Sequence, residues 1–400
     1  MMRARILIYC AVILRWLGNG IIVAIRIALW PRRRPREAAR VCVYRVGAIG
    51  DLVCATPALS AIRRAYPDAH LTLLTTPGRF RGAHHALDLL NSADWIDDVI
   101  LYELDDVTTI KQRWTFAKRL RACNFDVWFD LPLDRARFSR LIRDMILARI
   151  IRMRWAFGWR LEHIGFAAKA EAEEREFPDE VERLAGLLAR CGISDGATEF
   201  PPLADPRRSQ ITNGVFGELE RSARALIAVA PGARRPCNLW PADRFAAVCE
   251  SLVFDGGRVF LIGGADDAPR CGEIADAAGG RSKNLAGKLS LIESCELLRR
   301  CDLLIGVDSG PLHLAAAVGT RCLGLFSERN QRRRWFPHGD RHVVLHGKVE
   351  CHTCLLDVCP YDNRCIKQIT IEQVLEAARE MLRDTFGNRA AVSEPPAMAE

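Results

Sequence analysis

Three aspartates in this chain stand in glycine-containing loops that directly follow apolar segments. They are Asp51 in VGAIGD (46–51), Asp266 in GGADD (263–267) and Asp308 in VDSGPLH (307–313). A carboxylate in such a position can take a proton as a general base. Glycine lets a ligand approach the backbone, and the N–H groups at the start of a helix attract anions. These residue types therefore favour a site that holds a diphosphate.

The first of these loops has two interpretations when it is taken alone. Gly47 and Gly50 are three positions apart and do not form the G-x-G-x-x-G pattern of a dinucleotide-binding fold. The loop is therefore either part of a ligand site or a tight turn in which Asp51 caps the following helix. The residues of this loop leave both interpretations open.

The elements that must position these loops alternate regularly along the chain. In the first half we predict strands at 41–46, 70–75, 97–102 and 125–131, and helices at 51–66 and 108–123. After a proline-rich candidate linker at 199–214, the same alternation runs from 225 to 326. Apolar strands between helices are typical of parallel sheets covered on both faces. We therefore predict an α/β protein with two Rossmann-like parallel-sheet domains facing a cleft, which the loops at the carboxyl ends of the strands line.

The N-terminal segment, residues 6–30, is apolar and is followed by a cluster of arginines. In a helix, Arg15, Asn19, Ile22 and Arg26 would share one face. Arginines are costly at the centre of a bilayer, so an interfacial anchor, or a span whose polar stripe faces a partner, suits this pattern better than a plain span. The arginine cluster adds attraction to anionic lipid, and a floppy tail is the alternative.

Charge and cysteine usage restrict the class of protein. The net charge of +8 comes from the first 40 residues, because the rest of the chain carries 48 basic and 48 acidic side chains. A nucleic-acid partner is excluded, since no basic excess exists on the body. Most of the 15 cysteines stand singly in apolar segments, which is typical of buried thiols in a reducing, cytoplasmic compartment.

Together the motifs resemble those of glycosyltransferase family 9, the ADP-heptose:lipopolysaccharide heptosyltransferases. The similarity spans about residues 41–382. It rests on three blocks: RVGAIGDLVCATPALSAIRRAYPDAHLTLLT (45–75), PGARRPCNLWPADRFA (231–246) and GVDSGPLHLAAAVGTRCLGLF (306–326). The resemblance implies a GT-B fold and an inverting, metal-independent transfer of heptose from ADP-heptose to the lipid A-Kdo inner core, with no cofactor required.

The resemblance also implies a role for individual residues. Asp51 matches the family's general base, with Gly47 and Gly50 on the acceptor side. The donor side takes its residues from the second half of the chain: Asp266 (or its neighbour Asp267) toward the nucleoside, Asp308 toward the sugar, and Ser309, Gly310 and His313 toward the diphosphate.

One position departs from the family pattern. Where the family commonly has a phosphate-contacting lysine, this chain has Asn238, so we expect a weaker contact there. Arg234 and Arg235 are candidates to supply the missing charge. Four further arginines, at 329 and 332–334, would either meet acceptor phosphates or form a solvated basic face.

A cysteine-rich segment closes the second half. Cys351, Cys354, Cys359 and Cys365 have C-x2-C-x4-C-x5-C spacing. Such thiols are candidates for a structural metal, as zinc or an iron–sulfur cluster, although the second pair is spaced too widely for a standard zinc ribbon. Plain packing of reduced thiols is the alternative.

These observations predict four segments. They are a basic membrane-associating segment (1–40), an acceptor-binding domain (41–205), a nucleotide-sugar-binding domain (220–386) and a disordered tail (387–400), with the last helix packing on the first domain. We expect the partners to be ADP-heptose, a lipid-linked glycan and the cytoplasmic face of the inner membrane. The alternatives are transfer of another nucleotide-diphospho-sugar in cell-surface glycan synthesis, a GT-B-shaped epimerase or hydrolase, and a GT-B-shaped protein with altered or lost catalysis.

Overall fold

The computed structural model describes residues 2–76, 95–162, 172, 176–203 and 224–392. The chain divides into two compact units, and each is built on one parallel sheet. The first unit comprises Met1–Leu203 together with Gln331–Trp335, and the second comprises Ala204–Asn330 and Phe336–Glu400. The prediction of two parallel-sheet α/β domains is confirmed.

The first unit has a five-stranded sheet in the order β3-β2-β1-β4-β5, and all its strand pairs are parallel. Its elements are α1 (Met2–Leu29), β1 (Arg40–Tyr44), α2 (Ile49–Val53), α3 (Thr56–Ala65), β2 (His70–Thr75), β3 (Asp98–Leu101), α4 (Ile110–Ala122), β4 (Val127–Asp130), α5 (Phe138–Ile150), β5 (Trp155–Phe157) and α6 (Glu180–Ala189). The central strand β1 is apolar and buried from Val41 to Tyr44, as expected for a strand covered on both faces.

The second unit has a six-stranded parallel sheet in the order β11-β10-β9-β6-β7-β8. Its elements are β6 (Ala225–Ala230), α7 (Ala242–Phe254), β7 (Gly257–Leu261), α8 (Ala268–Ala277), β8 (Lys283–Asn284), α9 (Leu291–Arg300), β9 (Leu303–Val307), α10 (Gly310–Ala317), β10 (Cys322–Phe326), β11 (Val343–His346), α11 (Arg364–Lys367) and α12 (Ile371–Val392). The loops that follow β6, β7, β9 and β10 meet at the carboxyl edge of this sheet.

The helix predicted at 51–66 is two helices in the structure, α2 and α3. Pro57 has no N–H to donate to the carbonyl of Val53, so a continuous helix would lose that hydrogen bond. The hydroxyl of Thr56 donates to this carbonyl instead, at 2.8 Å. The proline therefore ends α2 soon after Asp51 and restarts the chain as α3.

The N-terminal helix α1 belongs to the first unit, which corrects its prediction as a separate segment. Ile22 and Trp30 are buried in the core of that unit, and the indole N–H of Trp30 donates to the carbonyl of Met153 at 3.0 Å. The ring of Trp30 also stacks on Trp159, with 5.4 Å between centroids. The helix is attached because its buried face supplies both apolar area and hydrogen bonds.

The last helix, α12, packs on the second unit, and the expectation that it packs on the first was wrong. Val374, Ala378 and Met381 recur at helical spacing and are buried in the core of the second sheet. The helix also runs to Val392, past Phe386 where we predicted disorder to begin. A single glycine, Gly387, costs a helix only about 1 kcal/mol, so it does not stop α12.

Candidate active site

Asp51 lies in the short helix α2, in the loop that leaves the carboxyl end of β1. One carboxylate oxygen, Oδ2, accepts a hydrogen bond from the backbone N–H of Ala48 at 2.7 Å. The other, Oδ1, lies 3.8 Å from Nη2 of Arg45, and the side chain is 17% exposed. The carboxylate is thus fixed by one oxygen and held close to a positive charge by the other.

The pKa of Asp51 is set by opposing effects. Burial raises it above the ordinary value, because a charged carboxylate loses hydration. The nearby Arg45 guanidinium and the Ala48 N–H lower it, without cancelling the effect of burial. A carboxylate with a raised pKa is a stronger base than an ordinary aspartate, which suits proton abstraction near neutral pH.

Gly47 makes room for this carboxylate. A Cβ atom at Gly47 would lie 2.3 Å from Cβ and 2.7 Å from Oδ2 of Asp51, and its φ is +155°. Gly50 is buried in α2, one residue before Asp51. The interpretation as a turn and the interpretation as a ligand site are therefore compatible. Asp51 stabilises the turn through Oδ2, whereas Oδ1 makes no hydrogen bond to the backbone N–H groups of this loop.

Arg45 connects the loop of Asp51 to neighbouring segments of the first unit. Its side chain is 1% exposed; Nη2 donates to the backbone carbonyl of Asp51 at 3.0 Å and to Oε1 of Glu180 at 2.9 Å. Nη1 donates to the carbonyl oxygens of Leu131 and Pro132. The guanidinium therefore ties the Asp51 loop to the chain after β4 and to the start of α6.

Glu180 and Arg183 complete this buried ionic network. Nε of Arg183 donates to Oε2 and Nη2 to Oε1 of Glu180, both at 2.7 Å. Burial alone would raise the pKa of Glu180, but Arg183 and Arg45 lower it to about 2. Glu180 is therefore ionised at neutral pH, and it holds Arg45 in place beneath Asp51.

Asp308 follows β9 in the second unit and is held by two amides. Its Oδ2 accepts from Nδ2 of Asn238 at 3.0 Å and from Nδ2 of Asn330 at 3.1 Å. Burial raises its pKa, while electrostatic interactions with His313 and Arg329 oppose that shift. The carboxylate is thus oriented by neutral donors at the carboxyl edge of the sheet.

Asn238 is buried, and both ends of its amide are engaged within the second unit. Its Nδ2 also approaches the backbone carbonyl of Asp308 at 3.3 Å, while its Oδ1 accepts from the hydroxyl of Ser327 at 2.6 Å. In this structure Asn238 therefore orients Asp308. Of the two arginines predicted to supply charge here, Arg234 is exposed and Arg235 pairs with Asp357 at 2.8 Å.

The residues after Asp308 open helix α10. Ser309 precedes the helix, and its Oγ is buried without a hydrogen-bond partner. Gly310 is the first residue of α10, and His313 is buried in its first turn at 4% exposure. An unsatisfied hydroxyl beside helix N–H groups is a suitable arrangement for binding an oxyanion.

The two aspartates of the loop after β7 differ in environment. Asp266 is exposed, whereas Asp267 is half-buried and its Oδ2 accepts from the N–H of Gly264 at 2.9 Å. A Cβ at Gly232, in the neighbouring loop after β6, would lie 2.0 Å from Oδ1 of Asp267. Asp267 therefore supports both loops, whereas the carboxylate of Asp266 faces solvent.

The arginines at 329 and 332–334 do not form one basic face, which corrects that expectation. Arg329 and Arg334 are each 2% exposed, so neither is a solvated cation. Arg329 pairs with Asp357 in the second unit, and Arg334 donates to the carbonyl of Pro178 in the first. Arg332 is exposed.

The four cysteines of the C-terminal segment carry free thiols. Sγ of Cys351 accepts from Arg364, and Sγ of Cys359 accepts from the N–H of Tyr361, each at 3.4 Å. Within the described ranges, no three His, Cys, Asp or Glu side chains are grouped so that they could hold a metal ion. The spacing that suggested a metal site is therefore not matched by convergence of these thiols.

The structure brings together more residues than the sequence indicated. Arg45, Ser327 and Asn330 contact candidate residues, and Glu180 contacts Arg45, but none of the four was predicted. Arg45 and Ser327 each directly follow a strand, as Asp308 does, so the strand ends were a usable signal for them. Nothing in the spacing of Glu180, 135 positions from Arg45, could have indicated their contact.

Comparison with known proteins gives one family. The family model described as glycosyltransferase family 9 (heptosyltransferase) matches residues 113–364. Lipooligosaccharide heptosyltransferase 2 of Campylobacter jejuni is 24% identical over 346 residues, which cover 84% of this chain and 96% of that protein.

Solved structures show the same fold. A glycosyl transferase family 9 structure from Veillonella parvula has a TM-score of 0.67 at 19% identity, over 88% of this chain and 99% of that one. The ADP-heptose LPS heptosyltransferase II of E. coli has a TM-score of 0.60 at 22% identity, over 86% and 99%. These similarities confirm the GT-B fold.

Proposed function

The chain belongs to glycosyltransferase family 9, the heptosyltransferase family, and from that premise we propose that it transfers heptose from ADP-heptose to the lipopolysaccharide inner core. The names of its relatives support this substrate pair, since they include a lipooligosaccharide heptosyltransferase and an ADP-heptose LPS heptosyltransferase. The observation that carries the proposal is the environment of Asp51, a fixed carboxylate of raised pKa in the loop after β1.

In this mechanism Asp51 acts as the general base. It removes the proton from the acceptor hydroxyl as that oxygen forms a bond to the anomeric carbon of the heptose. The bond between the anomeric carbon and the diphosphate oxygen breaks, ADP leaves with the electron pair, and the configuration inverts. Arg45 lies 3.8 Å from Oδ1 of this carboxylate and donates to the backbone carbonyl of Asp51. Gly47 and Gly50 form the acceptor-side loop.

The donor is held by the second unit. The unpartnered hydroxyl of Ser309 and the N–H groups that begin with Gly310 bind the diphosphate, and His313 adds a donor from the first turn of α10. Asp308, oriented by Asn238, accepts from the sugar hydroxyls. Asp266 accepts from the ribose, and Arg234, which is exposed near Asn238, supplies positive charge to the phosphates.

The reaction as proposed requires no metal and no cofactor. Stabilisation of the leaving ADP falls to backbone N–H groups and cationic side chains of the donor loops, which are preorganised donors aimed at developing charge. A second candidate, transfer of another nucleotide-diphospho-sugar, is favoured by Asn238, because its amide lacks the charge that the family's lysine would bring.

The enzyme is proposed to act at the cytoplasmic face of the inner membrane, where a lipid-linked acceptor is presented. One helix, Ile6–Leu29, is long and apolar enough to cross a bilayer. Its composition and the arginines that follow it support association with an anionic membrane surface.

The test is transfer by the purified full chain from ADP-heptose to a heptose-deficient lipopolysaccharide core, with and without EDTA. We expect heptosylated core and ADP in equal amounts, unchanged by EDTA. Asp51→Asn should lower kcat by about 10²–10⁴-fold with the donor Kd retained. Asp68→Asn, at an exposed aspartate of the same unit, is the matched control and should leave kcat unchanged.

Other outcomes separate the alternatives. ADP release without acceptor would indicate a hydrolase, and conversion of the donor without ADP release an epimerase. Transfer from a different nucleotide-diphospho-sugar would replace the donor but keep the mechanism. Full activity of Asp51→Asn would remove Asp51 from the role of base.

A further inference from the structure

Helix α1 presents an apolar face to solvent. Eleven of the twenty large apolar side chains that are exposed in the described part of the chain belong to this one helix. The most exposed are Trp16 at 74%, Tyr9 at 68% and Ile13 at 55%. Soluble proteins rarely leave so continuous an apolar surface uncovered, so this face marks an interaction site.

The polar stripe of α1 points the other way, into the first unit. Nη1 of Arg15 donates to the carbonyl of Glu162 at 3.1 Å, and Nε of Arg26 donates to that of Ala156 at 3.2 Å. Asn19 exchanges two hydrogen bonds with the backbone of Leu161, both at 3.0 Å. The polar groups that would be costly in lipid are therefore satisfied by the protein itself.

Close packing holds this orientation along the helix. A Cβ at Gly18 would lie 2.5 Å from Cδ1 of Leu161, so the glycine lets this side chain pack directly on the helix. Ala11 and Ile22 are buried on the same face, at 0% and 2% exposure. From Ala11 to Trp30 the helix thus lies against a folded domain, and a bilayer-spanning position would carry that domain's polar surface into hydrocarbon.

The charge next to α1 identifies the occupant of the apolar face. Arg32, Arg33 and Arg36 are exposed after the helix, and Glu37 is the one acid in the first 40 residues. Arg34 is turned inward, with its guanidinium 5.1 Å from the ring centre of Tyr66. A second copy paired through the same face would bring the same arginine-rich segment with its single acid, whereas anionic headgroups beside an apolar layer satisfy both features.

We propose that α1 docks the chain on an anionic membrane as a helix lying in the plane of the interface, with Tyr9, Ile13 and Trp16 in the lipid. The helix does not cross the bilayer. This inference rests on the membrane association proposed above and specifies its geometry. It places the first unit directly against the surface that presents a lipid-linked acceptor.

Vesicle flotation of the full chain tests the docking face. We expect flotation with vesicles of phosphatidylglycerol and phosphatidylethanolamine, and little with phosphatidylcholine alone. Ile13→Ser with Trp16→Ser should weaken vesicle binding about tenfold or more, because two large side chains no longer enter the lipid. The matched control is Ile110→Ser with Trp114→Ser, which changes the same residue types on the exposed side of α4 and should leave binding unchanged.

Protease accessibility tests the orientation. In inverted inner-membrane vesicles from cells that express the chain with an N-terminal epitope tag, we expect external protease to remove the tag. Protection of the tag would show that α1 crosses the membrane and would overturn the inference. Normal flotation of the Ile13/Trp16 variant would also overturn it. So would a finding that the unmodified chain does not float and instead forms an oligomer that the Ile13/Trp16 variant dissociates.

These measurements do not depend on turnover. A chain that floats with its tag accessible but transfers no sugar would leave this inference intact and overturn the proposed function. Circular dichroism and thermal unfolding of both double variants exclude misfolding, since all four side chains are exposed.

Discussion

The carboxylate of Asp51 has both a fixed orientation and a raised pKa. The hydrogen bond from Ala48 fixes Oδ2, and this bond alone would lower the pKa. Burial outweighs it, and the charge of Arg45 moderates the result. Asp51 is therefore tuned by its own loop and by one arginine.

This tuning predicts the pH dependence of kcat/KM. Because the base must be deprotonated, activity should fall as pH decreases through the raised pKa, at a higher pH than for an ordinary aspartate. Arg45→Gln removes the charge that lowers this pKa, so the acidic limb should move to higher pH. Arg119→Gln, on an exposed position of α4, should not move it. The pH–rate profile distinguishes this from loss of stability, which lowers active protein without shifting the limb.

A second prediction concerns the space beside Asp51. Gly47→Ala places a methyl group within 2.7 Å of three atoms of the Asp51 side chain, so the carboxylate must move. We expect kcat to fall by tenfold or more, about 1.4 kcal/mol in the barrier, with donor affinity retained. Gly186→Ala, at a helix position where a Cβ meets nothing within 4 Å, is the control. Equal kcat in the two variants would contradict the proposed placement.

Asn238 yields a prediction for the donor side. Asn238→Ala removes a buried donor to Asp308 and leaves the Ser327 hydroxyl unpaired. We expect a loss of about 1–3 kcal/mol in stability and a weaker donor Kd by calorimetry. Thr320→Val breaks another buried hydrogen bond of this unit, to Leu298 at 2.6 Å, at the opposite end of β10. It should lower stability while leaving the donor Kd unchanged.

At the scale of elements, long apolar segments were predictable and short ones were not. β2 occupies its predicted range, 70–75, and β6 begins at 225, where the alternation was predicted to restart. Both segments are apolar, contain β-branched residues and are bounded by turn residues. The strands β5, β8 and β11 have two to four residues and were missed. β3 and β4 also have four residues each, but they lie within longer, mostly apolar segments, 97–102 and 125–131, and were predicted. The pairing of the three missed strands comes from the neighbouring strand.

The residues of the candidate site were likewise only partly predictable from the sequence. The loops that hold Asp51 and Asp308 were predictable because strand ends and glycines mark them. The partners that orient these carboxylates come from distant segments, such as Asn330 and Glu180, and depend on the tertiary fold. Sequence therefore indicated the candidate reactive groups but not the groups that hold them.

The packing of α12 gives a prediction at this scale. Ala378 is fully buried between this helix and the second sheet. Ala378→Glu would bury a charge without a partner and should destabilise the protein by more than about 3 kcal/mol, measured by thermal unfolding. Glu380→Ala, on the exposed side of the same helix, should change stability by less than about 0.5 kcal/mol. Similar stability of the two variants would show that α12 is not part of the core.

At the scale of the molecule, the chain returns to the first unit after it has passed through much of the second. Gln331–Trp335 belong to the first unit, although the residues on both sides belong to the second. Arg334 attaches this segment to the rest of the first unit. Its guanidinium lies 5.5 Å from the ring centre of Phe177 and donates a hydrogen bond to the carbonyl of Pro178. The linker predicted at 199–214 extends into residues outside the described part. It is one of several places where the chain passes from one unit to the other.

This return predicts a long-range effect on stability. Arg334→Ala removes a buried cation from the first unit and leaves Asp134, 3.9 Å away, without it. We expect a loss of about 3 kcal/mol or more, seen in chemical denaturation. Arg332→Ala, at an exposed neighbour, should have a small effect. An unchanged midpoint for Arg334→Ala would mean that the segment contributes nothing to the first unit.

The attachment of α1 has a consequence for the order of events during synthesis. Arg26 bonds to Ala156, 130 positions later in the chain. At a translation rate of roughly 5–20 residues per second, the helix emerges from the ribosome on the order of 10 s before its docking site exists. During that interval an apolar helix with unsatisfied arginines is the most prominent feature of the nascent chain. With the docking proposed above, α1 is therefore available to a membrane surface, or to a chaperone, before the first unit can fold.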